Sequence, residues 1–213
     1  MAAFPGWPVT LTQGPITLRP HRRGDAQAWA RVRIENETWL SQWEPTSSVP
    51  WKSRHRSADF RAMFRVFRQA TRAAAMMPFV ITYEGQFAGQ LSLINIIRGA
   101  AGSAVAGYWL DQRLAGRGIM PLSLAMVIDH AFTAGGLHRI EVNIRPENSA
   151  SIRVVEKLGL RQEGYFRRFL HIDGDWRDHM GYALTTEDLP AGGMLAAWRQ
   201  GTSATHRRAL PPD

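Results

Sequence analysis

Residues 112–132 read QRLAGRGIMPLSLAMVIDHAF, and the order of residue types here decides the rest. An arginine and two glycines, as Arg113-x-x-Gly116-x-Gly118, stand before a run in which only Ser123, Asp129 and His130 are polar. A helix apolar on every side is buried. Its first turn then carries backbone N–H groups without intrahelical acceptors at the edge of a core. Glycines in front let another group approach those donors closely, and the group such a turn holds best is an anion, most often a phosphate.

Outward from this stretch, the flanking segments define a mixed sheet. VAGYWL (105–110) before the loop and HRIEVNI (138–144) after it read as strands joined by the helix, which Gly135-Gly136 stops. Upstream, ITLRP (16–20) is a strand. A helix runs from Asp25, a capping type, to about Asn36. A loop with three tryptophans spans 37–56, and a second helix, capped by Ser57, carries Phe60, Met63, Phe64 and Phe67 on one face. PFVITY (78–83) and FAGQLSLINII (87–97) form a hairpin around Glu84-Gly85-Gln86. Downstream, a short helix over 149–158 ends at Gly159, and GYFRRFLHI and WRDHMGYAL flank the turn Asp173-Gly174-Asp175. The expected fold is α+β, one domain: a mostly antiparallel mixed sheet flanked by helices. Residues 1–15 read as an N-terminal arm, 16–190 as the domain, and 191–213 as an extension with a short helix near 192–199 and a frayed tail.

Composition narrows the chemistry. The 213 residues, 45% hydrophobic and 21% charged, suit a globular chain with a full core. No cysteine is present, which excludes disulfides and thiol nucleophiles. The histidines are not spaced as a metal site, so no metal is expected. Neither a signal peptide nor a spanning apolar stretch is visible, and the expected setting is the cytoplasm. The net charge of +8 is carried almost wholly by arginine, since Lys52 and Lys157 are the lysines. It favours anionic partners, with an arginine-rich proteome as the alternative.

Further motifs accompany the glycine loop: Asn148-Ser149-Ala150-Ser151, Glu156-Lys157-Leu158-Gly159 and Glu163-Gly164, with Trp39-Leu40, Trp43-Glu44-Pro45, Asn95-Ile96-Ile97-Arg98-Gly99 and Ile172 to His179 outside them. Together these resemble the GNAT N-acetyltransferases of the RimJ type, which acetylate ribosomal-protein N-termini, over roughly Leu18 to Leu189. The resemblance implies acetyl-CoA as donor. Its pyrophosphate would lie on the amides of Ala115, Gly116, Arg117, Gly118 and Ile119 with Arg113 beside them, and its thioester arm along Trp109, Leu110 and Asn148. Ser151 would steady the departing thiolate. Glu44 is the first candidate to orient or deprotonate the amine and Glu141 the second. Trp39, Trp43, Glu44, Arg98, Tyr108 and Trp176 would meet the acceptor.

Two residues depart from the family pattern. Val155 stands where many relatives carry a tyrosine acid, and Leu170 where RimL-like enzymes carry a glutamate base. An α-amine titrates near 7.7–8, so supplying its free base at neutral pH costs only about 1 kcal/mol, against about 4 for a lysine. Direct attack by an N-terminal amine, plausibly of an alanine, is therefore the expected reaction, on a ribosomal protein and with ribosome contact through the basic surface. The rivals are acylation of a small amine or antibiotic, and an RNA-binding protein with a vestigial acetyl-CoA site. No membrane partner is expected, and the oligomeric state stays open.

Overall fold

The computed structural model describes residues 4–208, and for 202–208 the backbone alone. Its frame is an eight-stranded sheet ordered β1-β2-β3-β4-β5-β6-β8-β7. The strands are β1 (Leu11–Gln13), β2 (Ile16–Pro20), β3 (Met77–Tyr83), β4 (Gln86–Ile97), β5 (Ser103–Leu110), β6 (Arg139–Ile144), β7 (Arg161–Ile172) and β8 (Asp175–Thr185). The helices are α1 (Ala26–Glu35), α2 (Glu37–Leu40), α3 (Ser57–Arg72), α4 (Ile119–Phe132), α5 (Ser149–Lys157) and α6 (Met194–Arg208). This is the expected α+β architecture.

Among the described strands only β5 and β6 run parallel, joined by α4 as crossover, and they pair from Ser103↔Arg139 to Val105↔Glu141. Beyond that point β5 stays with β4 as far as Leu110, while β6 follows β8 to Ile144. The sheet therefore opens into a cleft between Ala106–Leu110 and Val142–Ile144. That cleft positions everything below.

Two hydrophobic clusters hold the layers. The larger includes α4, β-strand residues such as Leu91, Leu93 and Ile140, Val155 of α5 and Leu158 just after it. The smaller gathers Trp29, Val32 and Phe60 of α1 and α3 over Val80 and Phe87. α4 is buried on nearly every side, as its composition required.

Several local expectations change. The segment read as an arm adds strand β1 to the sheet edge and buries Trp7, whose ring meets Phe79 edge-on at 5.0 Å. The loop at 37–56 holds α2 and 3-10 turns at Ser41–Trp43 and Trp51–Arg54. Ser57 does not cap α3; the Asp59 carboxylate takes the Arg56 N–H instead, at 2.8 Å. α6 continues to Arg208 instead of stopping near 199, and it packs on α4. Of the tail expected to fray, residues 209–213 lie outside the described residues.

Candidate acetyl-donor and acceptor site

Gly118 is the N-cap of α4, with φ +75°, and Gly116 has φ +79°. Both conformations are ones a side chain resists. They turn the chain so that the first-turn N–H groups of α4 face outward without intrahelical acceptors. A Cβ on Gly118 would touch the Trp198 ring of α6 at 3.4 Å, whereas a Cβ on Gly116 would meet open space.

A buried network fixes the loop in front of this turn. Asn36 Oδ1 accepts the Gln112 N–H at 2.8 Å, and its Nδ2 donates to the Val32 carbonyl at 2.8 Å and to Asp111 at 3.3 Å. Asp111 accepts the Arg113 backbone N–H at 3.1 Å and its guanidinium at 2.6–3.1 Å. Glu35 takes the same guanidinium at 2.9 Å. Arg113 is thus neutralised by two carboxylates and acts as a brace of the loop. Its side chain is largely exposed beside the glycine turn and does not line the cavity.

The loop borders a cavity of about 690 Å³ that fills the sheet's cleft. One half is lined by Leu114, Ala115, Gly116, Gly118, Ile119 and Pro121 and, from α5, by Asn148, Ser151, Arg153 and Lys157. Asn148 caps α5, its Oδ1 accepting the Ser151 N–H at 3.0 Å. Arg153 and Lys157 stand four residues apart on α5, facing the glycine turn across the cavity. Their i,i+4 spacing was available in the sequence, and sequence reasoning passed over it.

On β5 the side chains divide. Trp109 points to the α1/α3 side, where its indole donates to Gln90 Oε1 at 2.9 Å alongside the Trp29 indole, also at 2.9 Å. Gln90 Nε2 donates to His21 Nε2 at 2.7 Å, and His21 Nδ1–H donates to the Pro78 carbonyl at 3.2 Å. This chain requires neutral imidazole, and burial holds His21 down to about 4. The Asp111 N–H pairs with the Ala88 carbonyl, so by alternation Trp109 spends its backbone groups on β4. Leu110 and Tyr108 turn theirs to the cleft. The Trp39 indole N–H donates to the Leu110 carbonyl at 3.2 Å, and the Leu110 and Tyr108 N–H groups face the cavity. Of Trp109 and Leu110, both expected along the thioester arm, Leu110 is the one whose amide is so directed.

Tyr108 also aims its phenol at α5, donating to the Ser151 carbonyl at 3.4 Å. Burial pushes this phenol well above its ordinary value, so it stays protonated. Val155 is fully buried in the core.

The other half of the cavity contains Trp39, Trp43, Glu44, Arg33 and His55. The Arg33 guanidinium lies between two indoles, 4.7 Å from the Trp51 ring and 4.9 Å from that of Trp109. It reaches Glu44 at 2.8 Å and His55 Nε2 at 3.0 Å. His55 donates from Nδ1 to the Trp51 carbonyl at 2.8 Å and is held to about 4, by burial first and by Arg33 second. Burial also lowers the Arg33 guanidinium, and Glu44 opposes that fall. Trp51 is therefore core, while Trp39 and Trp43 wall the cavity. The segment after Glu44 is clipped to the β7–β8 hairpin through Pro45↔Ile172 and the Thr46 N–H to the His171 carbonyl.

Four sequence assignments fall elsewhere. Glu141 is bound by Arg139 at 2.6 Å in a surface network with Glu163 and lies outside the cavity lining. Arg98 spans Phe4 and the Gly135 carbonyl, joining the N-terminal segment to the end of α4. Trp176 is exposed on the hairpin, edge-on to His171 at 5.3 Å. Arg117 is exposed beside the glycine turn and does not line the cavity. Among the described residues, no group of three His, Asp or Glu side chains could hold a metal ion.

The model of the acetyltransferase (GNAT) domain matches residues 16–161. [Ribosomal protein uS5]-alanine N-acetyltransferase of Escherichia coli (strain K12) is 30% identical over 186 residues, 86% of this chain and 94% of that enzyme. Probable N-acetyltransferase YjcK of Bacillus subtilis (strain 168) is 44% identical over 100 residues, 47% of this chain and 55% of that protein, so the match spans about half of that relative. Mycobacterium smegmatis RimJ in complex with CoA-disulfide has a TM-score of 0.90 at 40% identity, over 94% of this chain and 98% of that one. With a splayed β5–β6 pair, a glycine turn opening a buried helix and a family match over most of its length, the chain belongs to the GNAT family of acetyltransferases, which draw their acetyl group from acetyl-CoA.

Proposed function

We propose that this enzyme acetylates the N-terminal amine of a ribosomal protein, one that begins with alanine, in the cytoplasm. The observation that carries this reading is the acceptor half of the cavity: an open, tryptophan-walled channel in which the Glu44 carboxylate is already held by the buried Arg33. The named activity of the E. coli relative supports it.

The residues fit the donor. The first-turn amides of α4 suit a phosphate, and Lys157 and Arg153 add positive charge across from them. Acetyl-CoA supplies an acetyl group as a thioester. The Leu110 and Tyr108 amides face the place where charge would develop on its carbonyl oxygen, and one such preorganised donor contributes about 3 kcal/mol. Tyr108 keeps its phenol proton beside Ser151 and would donate a hydrogen bond to the departing thiolate, the task that Val155 cannot perform. Glu44, locked to Arg33, accepts a hydrogen bond from the incoming amine and fixes its direction. Proximity then does most of the remaining work.

The test is thiol release with an alanine-starting peptide, the same peptide N-terminally blocked but carrying lysine, a polyamine and an aminoglycoside. The first should react well and the others poorly. Preference for the polyamine or aminoglycoside overturns the reading in favour of a small-amine acetyltransferase. The log of kcat/KM should rise with pH through an apparent pKa near 8, the amine's own. Glu44→Gln should lower the rate and leave that inflection in place. An inflection that vanishes or moves by more than about one unit makes Glu44 a general base.

A further inference from the structure

α3 has two functions on two sides. Phe60, Phe64 and Thr71 face the core, and Met63 and Phe67 border the cavity. Roughly a quarter turn away lie Arg61, Arg65, Arg68 and Arg72, spaced four, three and four residues apart. That spacing aligns them in one row over about 16 Å of helix axis. Arg61, Arg65 and Arg72 are exposed and Arg68 is partly so. Among the described residues none of the four takes part in a salt bridge. The one acid of the helix, Asp59, is on another side and is bound to Arg56.

Such a row is unfavourable in isolation, because like charges at i,i+4 repel and no glutamate is interleaved to relieve them. Ordinary solvated helices mix signs on their exposed faces. An arginine-rich composition explains many arginines but not four on one row without a carboxylate. Arg31 of neighbouring α1 is a further exposed arginine.

We propose that this arginine row is a docking surface for the phosphate backbone of RNA. RNA offers a linear array of anions that matches a linear array of guanidiniums. An anionic membrane is a poorer occupant, because a helix that lies in a bilayer must bury its apolar face, and that of α3 is already spent on the core. The identification extends the ribosomal reading, on which the expectation of RNA beside the acceptor rests. The row lies on the side of α3 opposite Asp59, Met63 and Phe67, which line the cavity, so RNA held there would anchor the enzyme on an RNA-bound acceptor without occupying the cleft.

The test uses the full chain with Arg61, Arg65, Arg68 and Arg72 all changed to Gln, which keeps helix propensity. Fluorescence anisotropy with a labelled 20-nucleotide single-stranded RNA and a 16-base-pair RNA duplex is followed from about 50 to 200 mM salt. The variant should bind at least about tenfold more weakly. Its slope of log affinity against log salt should fall by about 3, as four lost phosphate contacts require. Acetylation of a free alanine peptide should stay within about twofold of wild type, so a failure of the RNA proposal and a failure of the acceptor reading show in different assays. A control with Arg167→Gln and Arg168→Gln, on the β7–β8 hairpin, should retain most of the RNA affinity. Equal loss in that control means net charge rather than the row binds, and overturns the proposal. Unchanged RNA binding in the fourfold variant overturns it too. So does loss of binding to phosphatidylserine vesicles or polyglutamate without loss of RNA binding, which would reassign the row to a lipid surface or an acidic protein.

Discussion

A phenol that stays protonated is useful chemistry only where something nearby gains negative charge, and Tyr108 stands beside Ser151 at that point of the cleft. Tyr108→Phe keeps the ring and its packing and removes the O–H alone. The expected result is a fall in kcat of at least about tenfold with KM for acetyl-CoA nearly unchanged, the pattern of an interaction made in the transition state. Equal kcat in the variant would return the thiolate to the Ser151 hydroxyl, and Ser151→Ala would then carry the loss. At this scale sequence patterns located the cluster but misassigned several members. Trp109 and Leu110 were equivalent candidates until strand alternation divided them. Arg113 reads as a phosphate ligand in isolation, although Asp111 two residues earlier was already a competing partner. Glu141 had Arg139 in the same i,i+2 relation on one face of its strand. Arg33 and His55 were invisible as site residues, because nothing local says that an arginine in an amphipathic helix will be sandwiched between indoles from two distant segments.

The element that matters most is the short connection from β5 to α4, held from outside by α1. Asn36 is the fastener: buried, it pairs with the Gln112 N–H, the Val32 carbonyl and Asp111. Asn36→Ala leaves that N–H and one side of a buried carboxylate without their partner, which costs about 1–3 kcal/mol. It should also loosen the glycine turn, raising KM for acetyl-CoA severalfold with kcat for bound substrate little changed. Urea unfolding and steady-state kinetics measure both. Destabilisation with unchanged KM would show that the turn keeps its shape without α1. The elements themselves were largely legible, since α4, the two hairpins and the crossover follow from apolar runs and turn residues. Less so were the pieces whose order comes from tertiary contact. β1 exists because β2 offers it an edge. The helix at Glu37–Leu40 exists because Trp39 and Leu40 have a cavity and a core to enter. The start of α6 has its place because Met194, Leu195 and Trp198 have the core at α4 to pack on.

Across the whole molecule, two buried imidazoles tie the α1/α3 layer to the rest, and both must be neutral. His21 joins β2 to β3 and β4 through Pro78 and Gln90, and His55 joins the loop before α3 to Arg33 of α1. Each is held to about 4 in the folded state, with burial as the main cause. In the unfolded chain they titrate near 6.5. Between those values the unfolded state binds protons that the folded state refuses, so stability falls as pH drops from about 6.5 to about 4 and is unaffected above that window. For His21, nearly inaccessible to solvent, the difference amounts to about 3 kcal/mol by pH 4 and about 2 by pH 5. His55 acts in the same direction, and its protonation would also place a cation against the Arg33 guanidinium. Urea unfolding at pH 7 and pH 5 should therefore show a marked loss of stability at the lower pH. His21→Gln gives up the ring's packing against Phe60 and Phe67 and is less stable at pH 7, but it should show a smaller difference between the two pH values. If the variant loses as much as wild type between pH 7 and pH 5, carboxylate pairs elsewhere govern the acid limit and the buried histidine does not. Activity provides a second reading of the same event, because the Gln90 chain that His21 terminates also holds the Trp109 indole on β5. KM for acetyl-CoA should then begin to rise only where unfolding begins, below about pH 5, and well away from the alkaline inflection set by the acceptor amine.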